Sequence, residues 1–336
     1  MASIREVAAL ANVSVATVSR VLNNDNTYKM REETRQRVWD AIAQTGYRHK
    51  TRSNPHDAIS VPMGKGVGCI LSVTKDKYRD PYFMSIYAGI EQRLAQKGYS
   101  VAFLKTYYEF QEPAVLRAIL DDPPLGLILM EQLSPSLFRN LRARIPVCIG
   151  IETGYPDIDV VGYDHFEAGM RITEHLISKG HRKIAFVGGS VLRKKSGASR
   201  RYLGFMAAMQ LAGLPVRPEW VLDCQWDELI CIDLVKALMA QPDTPTAICA
   251  ASDLMAMATL SALYSIGVSV PGQVAVIGLS NIQLSQFSSP PLTTYSIPAE
   301  EIGHVAVDLF EERLQGCDLP PRKVYLPITK VVRASV

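Results

Sequence analysis

The sequence predicts an all-α head carrying a helix-turn-helix, followed by a larger α/β body of two doubly wound parallel-sheet subdomains. Three observations carry that expectation. Two short amphipathic segments lie between Ser3 and Asn24, separated only by Asn12-Val13. From Val67 onward, short β-branched and aliphatic runs alternate with helical stretches, as expected of strands buried on both faces by crossover helices. That alternation restarts after Asp164. The body therefore divides into two similar halves around a cleft, and ligands of such sheets bind outside the carboxyl ends of the strands.

Within the head, Ser3-x-x-Glu6 forms a capping box that opens a helix with Ile4, Val7, Ala8 and Ala11 on its buried stripe. Asn12-Val13 leaves room only for a tight turn. Ser14 caps the second helix, which starts at Val15. Val18, Val21 and Leu22 share one face of it; Val15, Ala16, Ser19 and Arg20 share another. That second face suits a major groove, where small apolar groups meet thymine methyls and an arginine meets guanine or phosphate. An ordinary amphipathic surface helix explains the segment equally well when it is read without context. The context is a third helix from about Glu32 to Gln44, with Val38, Ala41 and Ile42 apolar and Gly46 ending it. Three short helices around one small core make a DNA-binding head.

Charge agrees with that assignment. The 336 residues carry a net charge of +3, and residues 1–60 hold nine Lys/Arg against six Asp/Glu, leaving the remainder neutral. The excess sits where phosphate neutralisation requires it. The composition, 48% hydrophobic and 21% charged, fits a globular chain of two or three domains. Six cysteines without a C-x-x-C pair read as free thiols in a reducing compartment. No secretion-signal pattern and no run of eighteen apolar residues is present, so the expected location is the cytoplasm, with no membrane partner.

The head is expected over residues 1–47 and a linker over 48–65, where RHKTRSNPHDAISVPMGK is polar, basic and twice interrupted by proline. The body follows over 66–336. Its strand candidates are Val67–Val73, Tyr99–Leu104, Leu125–Met130 and Val147–Ile151, then Lys183–Gly188, Thr246–Ala250 and Val274–Leu279.

SIREVAALANVSVATVSRVLN followed by ETRQRVWDAIAQTGY resembles the head of the lactose/galactose repressor (LacI/GalR) family of bacterial transcription regulators. EAGMRITEHLISKGHRKIAFVGG, PTAICAASDLMAMATL, VPGQVAVIGLSN and PPLTTYSIPAEEIG resemble that family's effector domain, which is related to periplasmic sugar-binding proteins. The resemblance implies a homodimer on a pseudo-palindromic double-stranded operator. In it, positions matching Val15, Ala16 and Arg20 read base edges, and those matching Ser14, Thr17, Ser19 and Asn23 hold the backbone. It implies three chain crossings between subdomains, near Tyr163, Leu292 and Tyr325. The first subdomain then takes in about 66–163 and 293–324, and the second about 164–292 and 325–336. Family members wedge a hinge leucine into the minor groove; here Ile59 is the comparable residue, after Asn54-Pro55 and before Pro62.

The resemblance also implies effector contacts. Arg201, in SRRYLGF, matches an arginine that donates paired hydrogen bonds to ligand oxygens, as a rigid fork of donors can. Trp226, in CQWDE, matches an aromatic packed on the ligand ring, although core packing explains it as well. Tyr82 and Phe83 match aromatics near the ligand, again with core packing as the alternative. Asp253 matches a polar contact, or caps the helix that follows it. Ser280 stands where a carboxylate is usual, and Ile151 where some members carry aspartate or arginine. DPYFMSIYAGIE resembles the galactose and β-galactoside branch most closely, which points to a galactose-type sugar. Arg193, Lys194, Lys195, Arg200 and Arg201 crowd one stretch, either as a solvated face or as a receptor for a phosphorylated sugar.

Other functions find little support. There is no Walker A loop, G-x-S-x-G, H-E-x-x-H or G-x-G-x-x-G, and Gly188-Gly189 alone is no phosphate loop. His175 and His181 are too isolated for a metal or catalytic site and are expected on or after a surface helix. No cofactor or metal is expected. A regulator governed by a protein co-regulator or a non-sugar metabolite remains the alternative.

Overall fold

The computed structural model describes residues 4–22, 66–72, 80–189, 192–193 and 197–336, together with Thr34, Arg37, Val38, Ala41 and Thr45. The chain divides into two compact units, residues 1–60 and 61–336.

The head opens with α1 (Ile4–Leu10) and α2 (Val15–Leu22). The turn between them is a two-bond helix stop. Val13 N–H reaches Ala8 O at 3.0 Å and Asn12 N–H reaches Ala9 O at 3.2 Å. Asn12 takes the left-handed position, φ 51°, that glycine fills in most such stops. Ser14 then caps α2 as expected, its Oγ accepting from Thr17 N–H at 3.1 Å. Val7, Ala8, Ala11, Val18 and Val21 are buried together with Val38 and Ala41. All five described positions from Thr34 to Thr45 are helical. The expected capping residue Ser3, Asn23, the side chain of Leu22, and the linker with Ile59 lie outside the described residues.

The body alternates strand and helix. Its first half contains β1 (Gly66–Leu71), α3 (Pro81–Gln96), β2 (Ser100–Thr106), α4 (Pro113–Asp121), β3 (Gly126–Met130), α5 (Pro135–Arg142), β4 (Cys148–Ile151) and β5 (Asp159–Gly162). Each of these three helices starts on a proline, whose fixed φ and missing N–H suit a first turn. The second half contains α6 (His165–Ser178), β6 (Ile184–Gly188), a two-strand antiparallel ladder of β7 (Leu192–Arg193) and β8 (Gly197–Ala198), α7 (Arg200–Leu211), β9 (Val221–Asp223), α8 (Glu228–Met239), β10 (Ala247–Ala250), α9 (Asp253–Ser265), β11 (Ala275–Ser280) and β12 (Thr293–Ser296). Then come α10 (Ala299–Leu314), β13 (Lys323–Tyr325) and β14 (Thr329–Val331).

Two six-stranded sheets result, ordered β13-β5-β4-β3-β1-β2 and β14-β12-β11-β10-β6-β9. Every pairing in them is parallel except β12 with β14. β1, β3, β4, β6 and β10 are buried throughout, which is why their runs are apolar without alternation. All seven expected strands are present.

The second crossing differs from expectation. Residues 293–296, assigned above to the first subdomain, form β12 beside β11, with Ile277 opposite Thr293 and Ser280 opposite Ser296. The chain leaves the second sheet only at Ile297-Pro298, five residues beyond Leu292, because β12 must complete that sheet before α10 can pack on α3. Tyr325 still belongs to the first sheet as the last residue of β13, and the third crossing follows it.

In each subdomain one pair of helices crosses through facing glycines. A Cβ on Gly169 of α6 would lie 2.0 Å from Arg201 O of α7, and one on Gly204 would lie 2.1 Å from Phe166 O. The same relation joins Gly89 of α3 to Glu300 O, and Gly303 of α10 to Ile86 O, at 2.2 and 2.4 Å. These helices touch backbone to backbone, so no side chain larger than hydrogen fits.

Both histidines lie where expected, His175 on the surface helix α6 and His181 after it. His175 turns to the buried side of that helix, at 7% exposure, and burial, with Lys330 and Lys179 nearby, holds its pKa below the usual value. His181 follows α6 and meets Thr246 Oγ1 at 3.1 Å.

Candidate nucleic-acid interface and ligand cleft

The face of α2 opposite Val18 and Val21 presents Val15, Ala16 and Arg20 to solvent, with Ser19 half-buried beside them. At its start Ser14 Oγ lies 2.9 Å from Thr17 Oγ1, so two hydroxyls stand together at the helix N-terminus. Apolar tips, hydroxyls and one arginine therefore sit on a single short, rigid surface.

In the body, Asp80, Tyr82, Phe83, Glu131, Arg201, Trp226, Ser252, Ser280 and Ile297 line a narrow cleft of about 30 Å³. It lies at the carboxyl ends of β3, β9 and β11. The backbone is strained there: Glu131 (φ 64°), Glu152 (φ 55°), Gln225 (φ 52°), Trp226 (φ 64°), Ser280 (φ 126°) and Asn281 (φ 57°) all follow or end strands in left-handed conformations. Non-glycine residues held so cluster at ligand sites, because the surrounding fold must over-determine them.

Arg201 is the centre of the cleft. Its Nη1 donates to Ala251 O at 3.0 Å, and its Cζ lies 5.5 Å from the Trp226 ring and 5.7 Å from the Tyr163 ring. The guanidinium is thus held between two aromatic faces. The indole can sit there because Gly189 has no side chain: a Cβ would fall 2.3 Å from the ring. The Gly188-Gly189 pair therefore seats an aromatic rather than a phosphate.

Two buried donors beside the cleft, Arg201 Nε–H and Tyr163 O–H, have no hydrogen-bond partner among the described residues. Tyr82 Oη donates to Glu152 Oε1, and Glu152 Oε2 is 3.5 Å from His165 Nε2, which stands at the start of α6. The His165 ring stacks on Tyr163 at 4.3 Å. Burial pushes both phenols above their ordinary pKa, with Glu152 adding to the effect at Tyr82. Both remain protonated donors at neutral pH.

Five of the six expected effector residues, Tyr82, Phe83, Arg201, Trp226 and Ser280, thus line one space. Asp253 does not. Its Oδ2 accepts from Ile282 N–H at 2.9 Å and its Oδ1 from Thr294 Oγ1 at 2.6 Å, so it fastens the segment after β11 to β12. Nor does it cap α9, a role taken by Ser252. Ile151 is buried at the end of β4; the polar residue at that strand end is Glu152. The basic stretch is dispersed where it is described. Arg200 pairs with Asp164 at 3.4 Å, Arg201 turns inward, and Lys194 and Lys195 lie outside the described residues. Among the described residues no group of His, Cys, Asp and Glu could hold a metal, and no helix is long and apolar enough to cross a membrane.

The buried Asp253 makes a pH prediction. Burial pushes its carboxyl up to about 6, although Thr294 and Ile282 N–H oppose this. A folded-state pKa above the unfolded value means that stability from this group is largest at low pH and falls as pH rises through about 4 to 6. The melting temperature of the wild type should therefore rise relative to that of Asp253→Asn between pH 7.5 and pH 5. Parallel curves would show that Asp253 does not titrate there.

Known proteins place this architecture. Residues 3–49 match the family described as bacterial regulatory proteins, lacI family, and residues 173–336 match the periplasmic binding protein-like domain. The HTH-type transcriptional repressor PurR of Actinobacillus pleuropneumoniae serotype 3 (strain JL03) is 33% identical over 346 residues, covering 100% of this chain and 98% of that protein. The chain belongs to the lacI family. PurR of Pasteurella multocida (strain Pm70) is 30% identical over 100% of this chain and 99% of its own. Among solved folds, a transcriptional regulator CelR–cellobiose complex superposes with a TM-score of 0.72 at 24% identity, covering 100% of both chains. The lac repressor dimer bound to operator and the anti-inducer ONPF superposes with a TM-score of 0.69 at 22% identity, covering 99% and 98%. Like its lacI-family relatives, this protein is a DNA-binding transcriptional repressor and not an enzyme. The exposed face of α2 belongs to its family head, and the Arg201 cleft to its binding-protein-like body.

Glu152, Tyr163, His165, Glu131 and Asp80 were not anticipated at the cleft. Asp80 carries a local signal, as its Oδ1 accepts from Tyr82 N–H at 3.0 Å in front of Pro81. The other four become neighbours only through the sheet.

Proposed function

We propose that this repressor binds a pseudo-palindromic operator as a cytoplasmic homodimer and releases it when a small ligand, a galactose-type sugar, enters the cleft. Arg201 carries the ligand reading: a forked donor between two aromatic rings, whose Nε–H finds no partner among the described residues, suits an acceptor on a ligand. Among the described lining residues Arg201 shares the cleft with Asp80 and Glu131, a balance that favours a neutral ligand over a phosphorylated one. The titration of operator release with galactose, β-galactosides and galactose 6-phosphate tests it, with release by the neutral compounds expected.

A planar nitrogen heterocycle is the second reading, favoured by the three aromatic rings of Tyr82, Phe83 and Trp226 in the lining. Adenine in the same titration separates the two. If no small molecule releases the operator, control by a protein partner takes over.

The exposed Val15, Ala16 and Arg20 support base reading by α2, with Ser14, Thr17 and Ser19 on the backbone. One small head buries too little surface for specificity, which favours the dimer. Light scattering should give a dimer at micromolar concentration. Arg20→Ala should weaken operator binding by roughly 1–3 kcal/mol and relax the specificity ratio. A uniform loss on all DNA would instead assign Arg20 to phosphate.

A further inference from the structure

Behind the cleft runs a series of contacts between titratable groups. Glu152 follows β4 and His165 opens α6, so they stand on either side of the first crossing, Tyr163-Asp164. The Glu152 side chain has room because Gly162 has none: a Cβ there would lie 3.2 Å from Glu152 Cγ. That side chain is 5% exposed, and its Oε2 is 3.5 Å from His165 Nε2. The His165 ring stacks on Tyr163, and the Arg201 guanidinium lies over Tyr163 and over Trp226. Glu152 is thus joined to the cleft through His165, Tyr163 and Arg201 in turn.

The other groups facing this corner hold their charge state near neutral pH. Asp164 caps α6 and pairs with Arg200 of α7, and Glu167 pairs with Arg171. Tyr82 of α3 donates to Glu152 Oε1 and stays protonated, and Glu131 acts on Tyr163 from the end of β3. The third crossing reaches Gly162 O through Leu326 N–H, and Leu326, Pro327 and Ile328 carry no charge. An imidazole, by contrast, ordinarily changes charge between pH 5 and 8. When protonated, His165 gives the buried Glu152 carboxylate a counter-charge. When neutral it withdraws that charge, and Glu152 then pulls more strongly on Arg201, whose charge it also acts on.

We propose that His165 is a proton sensor coupled to the Arg201 cleft. Its imidazolium holds Glu152 and leaves the Arg201 fork to an acceptor in the cleft; its neutral form lets Glu152 draw the fork away. The ligand side of this coupling rests on the effector reading above, whereas the sensor rests on the contacts alone. Because a ligand favours the state that binds it better, acceptors at Arg201 bind more tightly as pH falls and take up a proton as they bind.

Tryptophan emission of the full-length protein, followed without ligand across the histidine range of about pH 5 to 8, tests the sensor. The chain has three tryptophans, so subtracting the Trp226→Phe curve leaves the indole beside Arg201. The wild type should show one transition. His165→Gln should flatten it, and Glu152→Gln should move it to lower pH because the imidazolium loses its counter-ion. Operator binding shows that each variant is folded, and His165→Gln alone decides the matter if Glu152→Gln fails that check. A transition that persists in His165→Gln, or none in the wild type, would overturn the proposal. Galactose titrated at about pH 6 and about pH 8 checks the coupling: the wild type should bind at least about threefold more tightly at the lower pH, and His165→Gln equally at both. Equal wild-type affinities would overturn the coupling. If galactose binds at neither pH, the sugar reading fails while the emission curve still decides the sensor.

Discussion

Replacing Gly169 with alanine should lower the stability of the body by roughly 1–3 kcal/mol. Helix propensity alone predicts the opposite, because alanine in a helix interior gains about 1 kcal/mol over glycine. Packing decides the sign. The new Cβ would sit 2.0 Å from the Arg201 carbonyl oxygen, and a backbone atom cannot rotate away as a side-chain tip can. α6 and α7 must separate, and the contacts around Phe205 and Met209, both buried on α7, loosen with them. Thermal unfolding should show a fall of at least about 2 °C. Effector affinity should drop as well, since α7 carries Arg201. A melting temperature equal to or above that of the wild type would mean that the helices have room to spare.

Arg201→Met should abolish the response to effector while leaving operator affinity unchanged. Methionine keeps the bulk between Trp226 and Tyr163 but loses the fork. Two charge-assisted hydrogen bonds to a ligand are together worth about 3 kcal/mol or more, on the order of a hundredfold in affinity. The substitution also strands the Ala251 carbonyl, at a cost of about 1–3 kcal/mol if nothing replaces the bond. Operator binding measured beside effector binding separates the two effects. Loss of both would indicate a misfolded body, whereas loss of effector binding alone identifies Arg201 as the ligand anchor. Arg201→Lys should rescue little, because a point charge cannot reproduce paired, coplanar donors.

Much of this architecture is legible from local pattern, and the failures have physical causes. β1 and β3 are readable because both faces are buried and every position must be apolar. β13, KVY, is partly exposed, and β12, TTYS, buries threonines whose partners come from the chain's far end: Thr293 N–H donates to Ser335 Oγ at 2.8 Å. No window around either strand contains that information. The second crossing was misplaced for this reason. The turn after α1 was legible as a turn, although its left-handed residue is Asn12 rather than the glycine that usually signals one. Asp253 shows the limit of carrying a role by position. The residue stands in the anticipated place, but Thr294 and the Ile282 amide consume its oxygens. Glu152 shows the reverse. Nothing in GIETGY marks it, and only the meeting of β4 with α3 and α6 brings a carboxylate to Tyr82 and His165.

The interleaving of the two sheets also has a consequence for the order in which the protein can be made. α10 and β13, which complete the first subdomain, come after nearly all of the second in the chain. A ribosome that has finished β5 must add everything up to Ala299 before α10 begins, a wait of roughly ten to thirty seconds at bacterial elongation rates. Throughout that interval the Gly89 side of α3 has no partner, and Val161 on β5 has no neighbouring strand beyond it. The nascent first subdomain is therefore an unfinished sheet with a bare edge, of the kind that invites mispairing with a neighbouring chain. A circular permutant that starts near Ala299 and joins the present termini would shorten that wait, and should leave less aggregate when it is synthesised, with no such difference when the two finished chains are refolded from denaturant.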